Sequence, residues 1–141
     1  MKNFISQRFA IYGFLIILSL VVIFHLLIMF SVIPFEIVWG GRLKYKSQML
    51  VFETASVIIN LLMLTVVMIK AEILNVRINR MIIKIALWIM FGLFFINTFS
   101  NLFSKNDFEK VVFAPLTLIL LIFCLRLAIS QNKLAGAQSI N

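Results

Sequence analysis

Four long apolar runs, at residues 9–33, 48–69, 81–103 and 111–130, fill most of this 141-residue chain and constrain its fold more than any other feature. Each run is near the ~20 residues that a helix needs to cross a hydrocarbon core about 30 Å thick. Helices are the spanning structure to expect. Within lipid every backbone polar group must be satisfied inside the segment, and these runs are too long and too uniformly apolar to be barrel strands. Connections of about ten residues leave nothing outside the bilayer large enough to fold alone, so residues 1–141 read as a single domain. Short connections also favour neighbours that alternate in direction. The expected fold is all-α: an integral membrane four-helix antiparallel bundle, up-down-up-down.

Composition agrees. Hydrophobic residues make up 63% of the chain, against roughly 45–50% in soluble domains. The first run, about 25 residues long, exceeds the 7–15 of a signal-peptide core, and no small-x-small pattern follows it, so it reads as a retained span. A formal charge of +8 would raise the question of nucleic acid in a soluble protein. Here the basic residues are divided among short connections, as expected of residues that fix topology and meet anionic headgroups. Lys2, Arg8, Lys70, Arg77, Arg80, Lys84, Arg126 and Lys133 fall on one side of a four-span chain; Arg42, Lys44, Lys46, Lys105 and Lys110 fall on the other. The positive-inside rule then places both termini in the cytoplasm, for a multi-pass protein of the cell's inner membrane. The single cysteine, Cys124, excludes an internal disulfide and a multi-cysteine metal site, and reads as a small core hydrophobe.

The connections differ in character. In the first, Pro34 ends the span, Trp39 suits the membrane interface, and Gly40-Gly41 permits a tight turn before Arg42 that can fold back onto the bundle mouth. The third, residues 104–110, balances two positive against two negative residues. After Ser130 the chain is small and polar, a composition expected to fray. No internal repeat or inverted pair of spans is evident.

The polar residues inside the spans gather toward the end that carries the first and third connections. At about 1.5 Å per helical residue, His25 lies roughly 12 Å, Glu53 roughly 8 Å, Asn97 roughly 9 Å and Thr117 roughly 9 Å below the ends of their runs. Glu53, Ser56 and Asn60 fall on one helical face, as do Asn97, Ser100, Asn101 and Ser104, and both faces are expected to point inward. A carboxyl group facing lipid costs about 2.5–3.5 kcal/mol, which drives Glu53 toward the interior or a water-filled mouth. Arg42 and His25 are its expected partners. Glu36, nearer the interface, reads as solvated. For Asn60, Asn97, Asn101 and Thr117 the competing reading is interhelical glue, worth only about 0.6 kcal/mol per bond.

Chemistry at this layer stays open. His25 and Cys124 differ too much in depth to share a metal, and one His with one carboxylate falls short of the three protein ligands of a catalytic zinc site, so neither a metal nor a cofactor is expected. Ser56 or Ser100 with His25 and Glu53 could be drawn as a nucleophile, base and orienter, but no local motif fixes their geometry. Gly40-Gly41 lacks the pattern of a phosphate-binding loop.

Residues 39–43, Phe52-Glu53 with Ser56 and Asn60, Asn97-Thr98 with Asn101 and Lys105, Glu109-Lys110 with residues 114–118, and residues 124–128 together resemble a family of small four-span bacterial membrane proteins. The resemblance implies the architecture and no activity. Small multidrug-resistance transporters are similar in length and span count, but their essential glutamate belongs to the first span, where this chain has His25 and no acid. The leading expectation is an outward-facing polar pocket formed by Glu53, His25, Arg42, Asn60, Asn97, Asn101 and Thr117. It would bind a small molecule or lipid headgroup, or support a partner membrane protein or a second copy of the chain. Proton-coupled transport through Glu53, or an enzyme acting on a lipid-like substrate, are the alternatives; nucleic acid is not an expected partner.

Overall fold

The computed structural model describes residues 5–130, so Lys2, Lys133 and the rest of the tail after Ser130 lie outside the described residues. Helices α1 (Gln7–Met29), α2 (Lys46–Lys70), α3 (Arg80–Leu102) and α4 (Ala114–Ile129) make an all-helical fold. A π-helical turn, Glu109–Phe113, leads directly into α4, and all four helices are long and apolar enough to cross a membrane, the fourth taken from Glu109. Local caps set several of their starts. The Ser6 hydroxyl accepts from the Phe9 N–H (3.1 Å), the Asn79 side chain from Met81 (2.9 Å) and the Asn106 side chain from Phe108 (2.9 Å), each satisfying a donor that a helix N-terminus leaves free.

Pro115 accounts for the π turn. A proline well inside a helix removes one hydrogen bond and its ring meets the carbonyl four residues back. The wider turn, closed by the Ala114 N–H on the Glu109 carbonyl, absorbs that misfit without ending the helix.

The first span stops sooner than the sequence suggests. Helix α1 ends at Met29, and Ser31 adopts a left-handed φ of 60° while the Val32 N–H bonds to the Leu27 carbonyl at 2.9 Å. This closing turn, rather than Pro34, terminates the helix. Helix α2 ends the same way, with Glu72 at φ 60° and the Ile73 N–H on the Met68 carbonyl at 2.9 Å.

Periodicity sorts each helix into two faces. On α1, Ala10, Phe14, Leu18 and Val22 are buried, whereas Phe9, Tyr12, Ile16, Leu20 and Ile23 are more than half exposed on the other side. Large side chains are exposed in the same way on the other three helices. A surface this apolar has lipid as its natural solvent. The inner faces form one core joining all four helices, including Leu18, Met63, Val67, Leu87, Met90, Phe94, Leu120 and Cys124. A smaller apolar cluster, Ile28, Val38, Leu43 and Met49, seats the connection between α1 and α2 against the bundle.

Candidate functional site

Two buried glutamates hold one turn of chain. The segment between α1 and α2 contains a short 3₁₀ turn, Trp39–Gly41, in which three successive residues are left-handed: Trp39 (φ 57°), Gly40 (φ 64°) and Gly41 (φ 68°). Glycine adopts this region freely, but for an L-residue with a Cβ it costs roughly 1–2 kcal/mol. Trp39 is therefore held against its own preference. Its indole N–H donates to Glu53 Oε1 at 2.8 Å, and its ring packs on Phe52 with centroids 5.0 Å apart. The next residue, Gly40, gives its backbone N–H to both oxygens of Glu109, at 3.1 and 3.0 Å. Ser104 also donates to Glu109, and the Asn106 amide donates to the Ile37 carbonyl, so the third connection is fastened to the first.

Glu53 is fully enclosed, with no exposed surface, and Glu109 is only 7% exposed. A carboxylate removed from water requires compensating donors. For Glu53 these are Trp39 on one oxygen and His25 on the other, with Nδ1 of His25 2.6 Å from Oε2. Indole nitrogen only donates, so Oε1 is an acceptor. With the Nδ1–H tautomer of His25, Glu53 accepts on both oxygens. The His25 side chain keeps 15% of its surface open while Glu53 keeps none. The carboxylate is thus approached through the imidazole or by lifting Trp39.

The structure brings together some of the residues expected from the sequence and separates others. Glu53 and His25 pair directly; Arg42, the other expected partner of Glu53, is exposed and makes no ion pair with it. Thr117 is buried and accepts from the Thr98 hydroxyl at 3.1 Å, an α3–α4 bond that involves neither glutamate. Asn60 is half-buried and turns its amide onto its own helix, donating to the Ser56 carbonyl at 2.7 Å. The expected inward face of α3 is corrected: Asn97 and Ser100 are exposed, Asn101 is half-buried, and the residues of α3 that pack inward at this end are Phe94 and, partly, Thr98. Helical spacing groups these polar residues on one face but does not fix which way that face turns. Glu36 is exposed. Cys124 is a core residue whose thiol donates to the Leu87 carbonyl at 3.1 Å.

Glu109 is hidden, in the sequence, within a charge-balanced connection. The available signal is Asn106 followed three residues later by Glu109, the pattern of a helix start. It places Glu109 in a first helical turn, where the dipole favours a carboxylate. No group of three or more His, Cys, Asp or Glu side chains among the described residues is arranged to hold a metal ion.

These features define a multi-pass membrane protein of four helices with a hydrogen-bonded carboxylate cluster at the end formed by the first and third connections. Comparison with protein families, with curated proteins and with solved structures found no match.

Proposed function

We propose that this protein is an up-down-up-down bundle of the inner membrane, with both termini in the cytoplasm, that binds a small molecule or lipid headgroup at its outward-facing end. The Glu53–His25 pair is the recognition element and the Trp39–Gly41 turn is its lid. One observation carries the reading: a wholly buried carboxylate whose donors are an imidazole and the indole of a tryptophan in a left-handed conformation. Non-glycine residues held in that region concentrate where a segment works as a clamp or switch. A ligand bearing a hydroxyl or ammonium group can replace the indole donor on Oε1, releasing Trp39 from its strained conformation as it binds.

The core beneath the pair favours a site entered from one side over a transport path. Leu18, Met63, Met90, Phe94, Leu120 and Phe123 close the bundle interior with apolar side chains, and the Thr65 hydroxyl is spent on its own helix, 2.8 Å from the Leu61 carbonyl. A proton or polar solute would have no continuous partners there.

Glu53→Gln tests the proposal. The amide keeps the shape, accepts from Trp39 and donates to a His25 tautomer with its proton on Nε2, so the fold is retained while charge and proton exchange are lost. In native mass spectrometry of the full chain released from membranes into detergent, wild type should carry a bound ligand and Glu53→Gln should not, at an unchanged unfolding midpoint. Equal retention by the variant from pH 5 to 9, together with lowered thermal stability, would show the carboxylate to be structural.

A further inference from the structure

An open cleft lies away from the glutamates, between the 71–79 connection and the adjoining ends of α2, α3 and α4. It is a cleft of about 1450 Å³ whose lining includes Lys70, Arg80, Lys84, Leu87, Trp88 and Leu127. Its chemistry is graded along α3. Arg80, Lys84 and Trp88 recur at four-residue intervals, so they share one helical face about 6 Å apart in depth, cations first and the aromatic ring deepest. Ile83 and Leu87, both buried, supply an apolar floor on the same side of the helix. The Lys70 ammonium is held at the cleft by the Ser130 carbonyl, 3.2 Å away. Among the described residues Glu72 is the only acid of the lining, and neither it nor Arg80 nor Lys84 enters an ion pair there. The fold therefore gathers three cations around one cavity, and two of them, Arg80 and Lys84, have no ion-pair partner among the described residues.

We propose that this cleft is a binding site for the headgroup of an anionic phospholipid, with the phosphate against Arg80, Lys84 and Lys70 and the first part of an acyl chain along Trp88 and Leu87. Charge complementarity selects the headgroup: basic recesses between membrane helices attract anionic lipids, and a cation rim above an apolar wall matches the order of groups in a phospholipid. Tryptophan suits the boundary between the two. The site is independent of the Glu53 pair, which shares no residue with it.

The test is native mass spectrometry of the full chain in detergent titrated with phosphatidylglycerol, with phosphatidylcholine as the neutral probe and inorganic phosphate as the headgroup-free probe. Phosphatidylglycerol should bind at least about tenfold more tightly than phosphatidylcholine, and Arg80→Gln/Lys84→Gln should remove most of that preference. Arg42→Gln/Lys44→Gln, with the same loss of charge at the other end, should leave it intact, and circular dichroism should report the same helix content in all three proteins. Equal binding of the two lipids, equal loss in both double variants, or displacement of phosphatidylglycerol by millimolar phosphate would overturn the proposal. An Arg80→Lys/Lys84→Arg protein, which keeps the charge, should regain the preference; failure to do so in a folded protein would also count against it.

Discussion

The two ends of this bundle hold their charged groups in opposite ways. Around Trp39, Glu53 and Glu109 are buried and bonded within the chain, to His25, Trp39, Gly40 and Ser104. Around the 71–79 connection, cations line an open cleft, and two of them, Arg80 and Lys84, have no ion-pair partner among the described residues. Burial makes the difference. A carboxylate with no water must be satisfied internally or remain a severe liability, so the first end becomes part of what stabilises the fold. Exposed Arg and Lys keep their hydration at little cost and remain available to something outside the chain.

Removing one charge type at each end should separate them most clearly. Glu53→Leu leaves both the Trp39 indole and the His25 Nδ1 facing an apolar side chain, and a buried donor stripped of its acceptor costs about 1–3 kcal/mol. The loss should therefore be about 2–5 kcal/mol, measured as thermal or denaturant unfolding in detergent. Arg80→Gln/Lys84→Gln should change stability by less than about 0.5 kcal/mol, as exposed substitutions do. Comparable losses at the two ends would erase the distinction between charges satisfied inside the bundle and charges left at its surface.

That contrast is only partly legible in the sequence. The spans are, because a run of about 20 apolar residues has few other uses. Glu53 and His25 stand out as the ionisable groups within their runs. What joins them to the rest does not. The Gly40–Glu109 contact links residues 69 positions apart, and local periodicity carries no information about such a meeting. Asn97 shows the opposite failure, since helical spacing groups it with Asn101 but cannot say which way that face turns. The basic residues at 70, 80 and 84 read in the sequence only as markers of topology, and their convergence on one cleft depends on how α2, α3 and α4 pack.

A smaller change probes the clasp through its backbone. At Gly40 an added Cβ would meet Arg42 Nε at 3.6 Å and Ser104 Oγ at 3.7 Å, ordinary contacts, so Gly40→Ala isolates the conformational cost of φ 64°. About 1–2 kcal/mol should be lost, and the backbone bond from this position to Glu109 weakened with it. A hydrogen-exchange measurement should show the Gly40 amide of wild type protected despite its place in a connection, and the amide at the same position in the Gly40→Ala variant less so. Rapid exchange in wild type would mean that Glu109 does not hold the turn.

The smallest expected effect tests whether the ends differ in their charged groups alone, because both are built on the same helix stop. Ser31 after α1 and Glu72 after α2 are exposed residues at φ 60°, in the left-handed position that usually belongs to glycine. Ser31→Gly and Glu72→Gly should each remove the steric cost of that conformation. Part of the gain is offset by the greater freedom of glycine in the unfolded chain, leaving a net stabilisation of at most about 1 kcal/mol, similar at the two positions. Their effects on lipid should diverge. Glu72 is the acid of the basic cleft, so Glu72→Gly and Glu72→Gln should both raise retention of phosphatidylglycerol, although only the glycine relieves the backbone. Ser31→Gly should leave retention unchanged. A lipid gain that follows the backbone relief rather than the lost charge, present in Glu72→Gly and absent in Glu72→Gln, would show that the cleft responds to the geometry of the α2 stop and not to its electrostatic balance.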